Sequence, residues 1–219
     1  MKFLCPFKAL VFAALCAAVG LSQATVTAFN SQAAFNAVVQ SPGVDSFDDL
    51  VPGDPLASPT TRSAGAFAYT AAASTFGFFG AGSSADAWLS TDQFSDAIVF
   101  DGFSAGVGAI GGLFFGSDLF GELLADQSIF LEATDADGTL TVTLNNAMAD
   151  SFFGFVSDGT LLSLRVSAVS SDQFNVWPTI NNLVLAGAGD PPTYPIPEPT
   201  SLALAAFGLA VGLRWRRRS

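Results

Sequence analysis

The sequence contains no histidine, and its two lysines and two cysteines all lie within the first 16 residues. The long stretch from Thr25 to Glu198 therefore has no imidazole, thiol or primary amine side chain. These absences exclude from it a Ser-His-Asp or Cys-His relay, a Schiff base, a zinc site built on imidazole or thiolate, and a disulfide. Paired carboxylates, as glycoside hydrolases use, are the catalytic option that remains. We expect this chain not to be an enzyme.

Basic residues are also scarce away from the two ends of the chain. Between Thr25 and Glu198 only Arg62 and Arg165 are basic, whereas all 19 acidic residues of the chain lie in this stretch. Such a surplus of negative charge repels nucleic acid and anionic lipid, so we predict no nucleic-acid partner. The surplus suits a soluble surface protein, a protein that binds divalent cations, or both.

The first 24 residues have the pattern of a secretory signal peptide. Lys2 and Lys8 give a positive start, an apolar run follows, and small residues stand at the positions that signal peptidase reads. We predict a signal peptide over residues 1–24, with cleavage between Ala24 and Thr25. The alternative is a membrane anchor that is not cleaved.

The other end of the chain has three features in a fixed order. A proline-rich linker, residues 187–199, ends in Pro197-Glu198-Pro199. An uncharged apolar segment follows, and a cluster of arginines comes last: Arg214, Arg216, Arg217 and Arg218. The apolar part, about 13 residues, spans roughly 20 Å as a helix, which is short for a bilayer core of about 30 Å. We predict a short transmembrane helix and arginine-rich tail over residues 200–219, with the arginines held on the cytoplasmic side.

This order of Pro-Glu-Pro, short hydrophobic helix and terminal arginines closely resembles the PEP-CTERM sorting signal of Gram-negative bacteria. The resemblance covers residues 197–218. It implies export, transient tethering to the inner membrane, and processing near Pro-Glu-Pro by an exosortase-type enzyme. It also implies a final location at the outer surface of the envelope or in the extracellular polysaccharide matrix. The alternative is an ordinary tail anchor preceded by a proline-rich linker.

Residues 25–186 are the size of one domain, and their abundance of phenylalanine and small residues favours packed β-sheets. Leucine and valine alternate with threonine over residues 139–144, the period of a half-buried strand. Residues 161–169 show a similar alternation, which predicts that Leu162, Leu164 and Val166 share one face. Asp-Gly steps predict two hairpins, one ending in each of these strands.

A short helix is predicted near the start of this domain, capped by Asn30 or Ser31 and extending to Val39. The domain also loosely resembles one common sort of PEP-CTERM cargo, through Phe35, Phe47-Asp48, the run of residues 152–155 and Trp177-Pro178. That resemblance implies a jelly-roll-like sandwich. We therefore predict an all-β, antiparallel, jelly-roll-like β-sandwich with a short N-terminal helix.

A calcium site is the first candidate for ligand binding. Hard cations prefer oxygen ligands, and residues 134–139 have the Asp-x-Asp-Gly start of a calcium loop through Asp135 and Asp137. Asn146 stands where an EF-hand has its last glutamate. A plain polar hairpin turn is the alternative. We predict no cofactor, with calcium as the one candidate.

Three aromatic residues are candidates for contact with sugar rings: Trp177, Trp88 and Tyr69. Trp177 precedes a proline, in a predicted loop where an exposed ring could serve a ligand. Tryptophans of β-sandwiches also pack in the core or at its rim, and that is the alternative.

These patterns together predict an exported, non-enzymatic surface or matrix protein with a structural or adhesive role in the envelope, exopolysaccharide or biofilm. Its expected partners are an exosortase-type enzyme, the membrane while the C-terminal helix is present, and polysaccharide. The alternative is a lectin-like carbohydrate-binding module, either dependent on calcium or independent of it.

Overall fold

The computed structural model describes residues 25–170 and 175–189, and these residues form fifteen strands and one short helix. The elements in chain order are β1 (Val26–Phe29), α1 (Gln32–Asn36), β2 (Val39–Asp45), β3 (Pro55–Leu56), β4 (Thr60–Ala64), β5 (Phe67–Ala73), β6 (Phe78–Ser83), β7 (Asp86–Thr91), β8 (Ala97–Asp101), β9 (Ala109–Ser117), β10 (Leu123–Leu124), β11 (Gln127–Asp135), β12 (Thr139–Ala147), β13 (Phe152–Ser157), β14 (Leu161–Ala168) and β15 (Trp177–Ala188).

The strands form two antiparallel sheets. Sheet A runs β1-β13-β9-β15-β7-β6-β3, with β10 added beside β9 and β2 added beside β15. Sheet B runs β12-β11-β14-β8-β5-β4. The prediction of an all-β, two-sheet protein is confirmed, and the jelly-roll-like order of strands stays a prediction.

The main hydrophobic core is built largely from phenylalanines of both sheets. Phe100 of sheet B and Phe114, Phe115 and Phe155 of sheet A are fully buried in it. Each buried phenylalanine stabilises the fold by about 1.5–3 kcal/mol relative to an exposed one. Residues 25–189 contain no cysteine, so apolar burial rather than disulfide bonding stabilises this body.

A second, smaller core forms where α1 packs against sheet A. Phe35 is fully buried there beside Phe152, Val184 and Ala186. The backbone N–H of Ala34 donates to Oγ of Ser31, which confirms Ser31 as the helix cap. The helix ends at Asn36 and does not reach Val39 as predicted, because Val39 begins β2, which pairs with β15.

One of the two predicted hairpins is confirmed and the other is wrong. β11 and β12 pair directly, and Leu140, Val142 and Leu144 are half-buried between exposed threonines as predicted. β13 and β14 do not pair, because β13 lies in sheet A and β14 in sheet B. Their Asp-Gly turn therefore connects the two sheets.

The face assignment in β14 is also partly wrong. Leu164 and Val166 point into the core, but Leu162 is exposed and Leu161 is buried in its place. The pairing of β14 with β11 shifts by one residue there, since Thr134 pairs with Ser163 and Asp135 with Leu161. A bulge of this kind reverses which side chains face inward.

Candidate functional site

The most tightly connected polar cluster surrounds Arg62, on β4. Its guanidinium binds Asp45 in a bidentate pair, with Nε donating to Oδ2 at 2.7 Å and Nη2 to Oδ1 at 2.8 Å. The same group reaches Asp49, with Nη2 donating to Oδ1 at 2.6 Å and Nη1 to Oδ2 at 3.2 Å. One planar guanidinium therefore binds two carboxylates, a geometry that its fork of donors allows.

Aromatic rings close this cluster from the core side. The Tyr69 hydroxyl donates to Asp45 Oδ2 at 2.6 Å, and the guanidinium carbon of Arg62 lies 5.0 Å from the centre of the Phe47 ring. Phe47 has a backbone φ of +64°, an uncommon conformation for a bulky residue, and its N–H donates to Asp45 Oδ1. The cluster thus determines the path of the chain at the end of β2.

The pKa values of the cluster follow from burial and pairing. Burial alone would lower the pKa of Arg62, but its hydrogen bonds to Asp45 and Asp49 outweigh burial and raise the pKa above its ordinary value. Burial and then the negative charge of Asp45 raise the pKa of the Tyr69 hydroxyl. The hydrogen bond from Arg62 lowers the pKa of Asp49. Arg62, Tyr69 and Asp49 therefore keep the charge states that they ordinarily have at neutral pH, and none of these three is poised for proton transfer near pH 7.

The Arg62 cluster joins the two sheets. Asp45 ends β2 of sheet A, and Arg62 lies on β4 of sheet B. Close by, a Cβ added to Gly43 would overlap the carbonyl of Ala64, so the two backbones touch there. Tyr69 is 1% exposed, so its ring has no open face on which a sugar could stack.

The Asp135 carboxylate organises the turn between β11 and β12. Its Oδ1 accepts hydrogen bonds from the N–H groups of Asp137 and Gly138, each at 2.9 Å. Its Oδ2 accepts a hydrogen bond from the hydroxyl of Ser157, also at 2.9 Å. Burial would raise the pKa of Asp135, but these hydrogen bonds outweigh burial and lower the pKa. The turn is thus built on an ionised, almost fully buried aspartate.

Both carboxylate oxygens of Asp135 therefore accept hydrogen bonds from groups of the protein itself. Asp137, the second predicted calcium ligand, is exposed, and its backbone rather than its carboxylate takes part in the turn. Within residues 25–170 and 175–189, no group of three histidine, cysteine, aspartate or glutamate side chains converges as a metal site would. Calcium binding at Asp135 and Asp137 stays a prediction.

Replacing Asp135 by alanine is expected to lower the free energy of unfolding by about 1–3 kcal/mol at pH 7, because three donors lose their acceptor. The pKa of Asp135 is lowered in the folded state, so its contribution is present above the unfolded pKa of about 3.9 and is lost as the pH falls through the folded value. Urea denaturation of both proteins at pH 7 and pH 3 should show the difference shrinking in acid. Asp137→Ala is the control, and an equal loss in that variant would contradict the role given to Asp135.

The two tryptophans that were predicted to contact sugar have different neighbours. Trp88, on β7, packs edge-on against Phe115 with ring centres 4.9 Å apart, and its Nε1 is buried without a hydrogen-bond partner among the described residues. Trp177, at the start of β15, packs edge-on against Phe94 at 5.6 Å and donates from Nε1 to the Asp92 carbonyl at 3.4 Å. Each predicted sugar-contacting ring therefore has its own neighbours, and the structure does not combine them into one platform.

A concave surface occurs elsewhere on the described body. A cleft of about 460 Å³ is lined mainly by backbone and small side chains, among them Gly106, Gly108, Gly187 and Ala188. Its lining contains no charged side chain and none of the residues proposed from the sequence. The cleft is concave, but it has few polar side chains that could orient a ligand and make binding specific.

Thr25, the residue predicted to begin the mature chain, is hydrogen-bonded to the side chain of Asp158. The backbone nitrogen of Thr25 donates to Asp158 Oδ1 at 2.5 Å, and the N–H of Asp158 points back to the Thr25 carbonyl. β1 begins at the next residue and pairs with β13. Cleavage between Ala24 and Thr25 would therefore leave β1 whole.

Sequence reasoning missed the Arg62 cluster and a buried hydroxyl cluster of Ser90, Ser117 and Thr179. A signal for the first was available, because a buried carboxylate in this body has only two arginines with which to pair. The hydroxyl cluster has no such signal, since serine and threonine occur throughout the chain.

The described body and the C-terminal segment together define a class of protein: an all-β, two-sheet domain followed by a sorting segment. Residues 195–218 match the PEP-CTERM protein-sorting motif, which confirms the expectation of this motif at residues 197–218. The motif indicates an exported protein that an exosortase sorts. No curated protein and no solved structure matches the chain.

The sorting residues themselves lie outside the described residues, as do residues 1–24 and the predicted C-terminal helix. These comprise Pro197, Glu198, Pro199, Arg214, Arg216, Arg217 and Arg218, together with Ala24 of the predicted cleavage site. Among the described residues, no helix has the length and apolar character needed to cross a membrane.

Proposed function

We propose that this chain is an exported, non-enzymatic protein with a structural or adhesive role at the surface of a Gram-negative bacterium or in its exopolysaccharide. The observation that supports this most strongly is the sorting motif at residues 195–218. In this proposal, signal peptidase removes residues 1–24, the C-terminal helix tethers the folded body to the inner membrane, and an exosortase-type enzyme processes the chain near Pro197-Glu198-Pro199.

The described body supports a structural role through the way it uses its ionisable groups. Arg62 and Tyr69 both donate hydrogen bonds to Asp45 in the cluster that joins the sheets. Asp135 accepts hydrogen bonds from the backbone of its own turn. A charged group whose hydrogen bonds are all made within the protein contributes to rigidity. Such a group is not available to bind or react with a substrate. Rigidity without disulfides suits a protein that functions outside the cell.

Deleting residues 195–218 is expected to abolish processing and to change the final location of the protein. Cell fractionation and the mass of the recovered protein measure both effects. The proposed matched pair replaces Arg214, Arg216, Arg217 and Arg218 either all by alanine or all by lysine. The lysine variant keeps the positive charge that orients the helix and should be sorted better than the alanine variant. Unchanged location and mass after the deletion would refute the sorting role.

A carbohydrate-binding role is the second candidate, and the Trp177–Phe94 pair favours it. Both rings are only partly buried, and they meet at the start of β15. A half-buried indole can stack on a sugar ring with its open face. A glycan array should then show binding that Trp177→Ala abolishes and Trp177→Phe partly retains. Repeating the array with a calcium chelator, and with Asp137→Ala, separates a calcium-dependent lectin from a calcium-independent one, and no binding in any condition would leave the structural role alone.

A further inference from the structure

Strand β12 forms an open edge of sheet B. It pairs with β11 on one side, and no strand among residues 25–170 and 175–189 pairs with its other side. The strand is nine residues long, from Thr139 to Ala147. An unpaired edge of this length presents a row of backbone donors and acceptors to which another strand can bind.

The direction of these backbone groups follows from the register of the hairpin. The Asp135 N–H donates to the Gly138 carbonyl, and the pairing continues without a shift to Ile129 and Leu144. Hydrogen-bonded pairs alternate in an antiparallel ladder, so Leu140, Val142 and Leu144 direct their N–H and C=O groups toward β11. Thr139, Thr141 and Thr143 therefore direct theirs outward, at the open edge.

The chain does not protect this edge as it protects the edges at β3 and β4. β3 at one end of sheet A begins with Pro55, and β4 at the far edge of sheet B contains the charged Arg62. Proline and charge are two of the devices that prevent strands from pairing between molecules. β12 has neither, since its residues are Thr-Leu-Thr-Val-Thr-Leu-Asn-Asn-Ala. The nine residues of β12 carry no charge, so the strand itself adds no like-charge repulsion between two copies.

The sequence of β12 is complementary to itself in the antiparallel direction. When two copies pair about Val142, Leu140 lies opposite Leu144 of the second copy, and Thr141 lies opposite Thr143. All leucines and valines then share the core face, and all threonines share the outer face. Aliphatic and threonine pairs directly opposite each other are favourable cross-strand pairs. The three aliphatic side chains are half-buried in one chain and would bury their remaining surface against the second.

We propose that a second copy of this chain pairs with it through β12, in an antiparallel arrangement with a two-fold axis at Val142, so that sheet B continues from one molecule into the other. The threonine N–H and C=O groups at the open edge supply the hydrogen bonds, and the aliphatic face joins the two cores. The symmetry is closed, so the product is a dimer and not a fibre.

A charge variant tests the pairing. In Thr141→Lys/Thr143→Lys, each lysine lies opposite a lysine of the second copy, and like charges directly opposite each other destabilise a strand pair. Sedimentation velocity of the full chain in mild detergent should show self-association that is about tenfold weaker than in the parent. The control is Thr61→Lys/Ser63→Lys, which adds the same charge to two exposed positions on β4, at the other edge of sheet B.

The control variant separates the effect of position from the effect of net charge. Added lysines reduce the net negative charge equally in both variants and should, by themselves, favour association. Weaker association in the β12 variant alone supports the proposal. A parent that stays monomeric across the concentration series overturns it, as does an equal effect of the two variants.

Cysteine cross-linking tests the register in the same full chain, with Cys5 and Cys16 replaced by serine. Val142→Cys places two thiols opposite each other across the axis, close enough for a disulfide when oxidised glutathione is the oxidant. Thr139→Cys is the control, because residue 139 lies opposite residue 145 and its own copy is roughly 20 Å away at about 3.4 Å per residue. Covalent dimer from Val142→Cys alone supports the register, and equal cross-linking of both variants overturns it.

Discussion

Replacing Arg62 by alanine is expected to lower the free energy of unfolding by about 3–5 kcal/mol, because it leaves a buried charge without its partner. Asp45 is 7% exposed, and without the guanidinium it would be a buried carboxylate with no cation beside it. The Tyr69 hydroxyl and the Phe47 N–H would still donate to it, but they bring no positive charge. Urea denaturation at pH 7, followed by fluorescence or circular dichroism, measures the loss.

Arg165→Ala is the matched control for Arg62→Ala. Arg165 lies on β14, half-buried and opposite Glu132 in the register of sheet B, and the structure shows no ion pair for it within the described residues. Its loss should cost at most about 1 kcal/mol, as for weak surface pairs. Arg62→Lys should fall between the two, because one ammonium cannot form the bidentate bond to Asp45 and still reach Asp49. Equal losses from Arg62→Ala and Arg165→Ala would show that the cluster does not join the sheets as described.

Replacing Phe35 by alanine is expected to cost about 3–5 kcal/mol, because it empties the small core beneath α1. Phe35 is fully buried and packs against Phe152 with ring centres 5.5 Å apart. Its ring also lies on the backbone of Gly154, where an added Cβ would be 2.5 Å from Phe35 Cδ2. Thermal or urea unfolding measures the loss, with Phe120→Ala as the control, since Phe120 is 79% exposed and its truncation should change stability by no more than about 0.5 kcal/mol.

A double-mutant cycle makes this prediction specific to the contact between Phe35 and Gly154. Gly154→Ala alone should destabilise by about 1–3 kcal/mol, because its methyl group collides with the ring. In Phe35→Ala/Gly154→Ala the same methyl group enters space that the ring has vacated. The double variant should therefore be more stable than the sum of the two single changes predicts. Simple additivity would show that the ring does not lie on Gly154.

Much of the architecture could be predicted because its signals are local. The alternation of threonine with leucine and valine marks β12 as a half-buried strand, and the Asp137-Gly138 step marks the turn before it. Ser31 was one of two proposed helix caps and is the residue that the structure uses. The extent of the helix could not be predicted, because Val39 has helical spacing from Phe35 yet pairs with Ala188 near the end of β15.

The sequence by itself determined that this protein is all-β, that its body contains no nucleophile–histidine or thiolate chemistry, and that it ends in a PEP-CTERM motif, since composition, period and motif are properties of short stretches. Only the tertiary structure decided that Arg62 pairs with Asp45, that β13 and β14 belong to different sheets, and that β12 is left at an edge. The physical reason is that a period of two shows which face of a strand is buried but not which strand lies beside it. That choice depends on contacts between residues far apart in the chain.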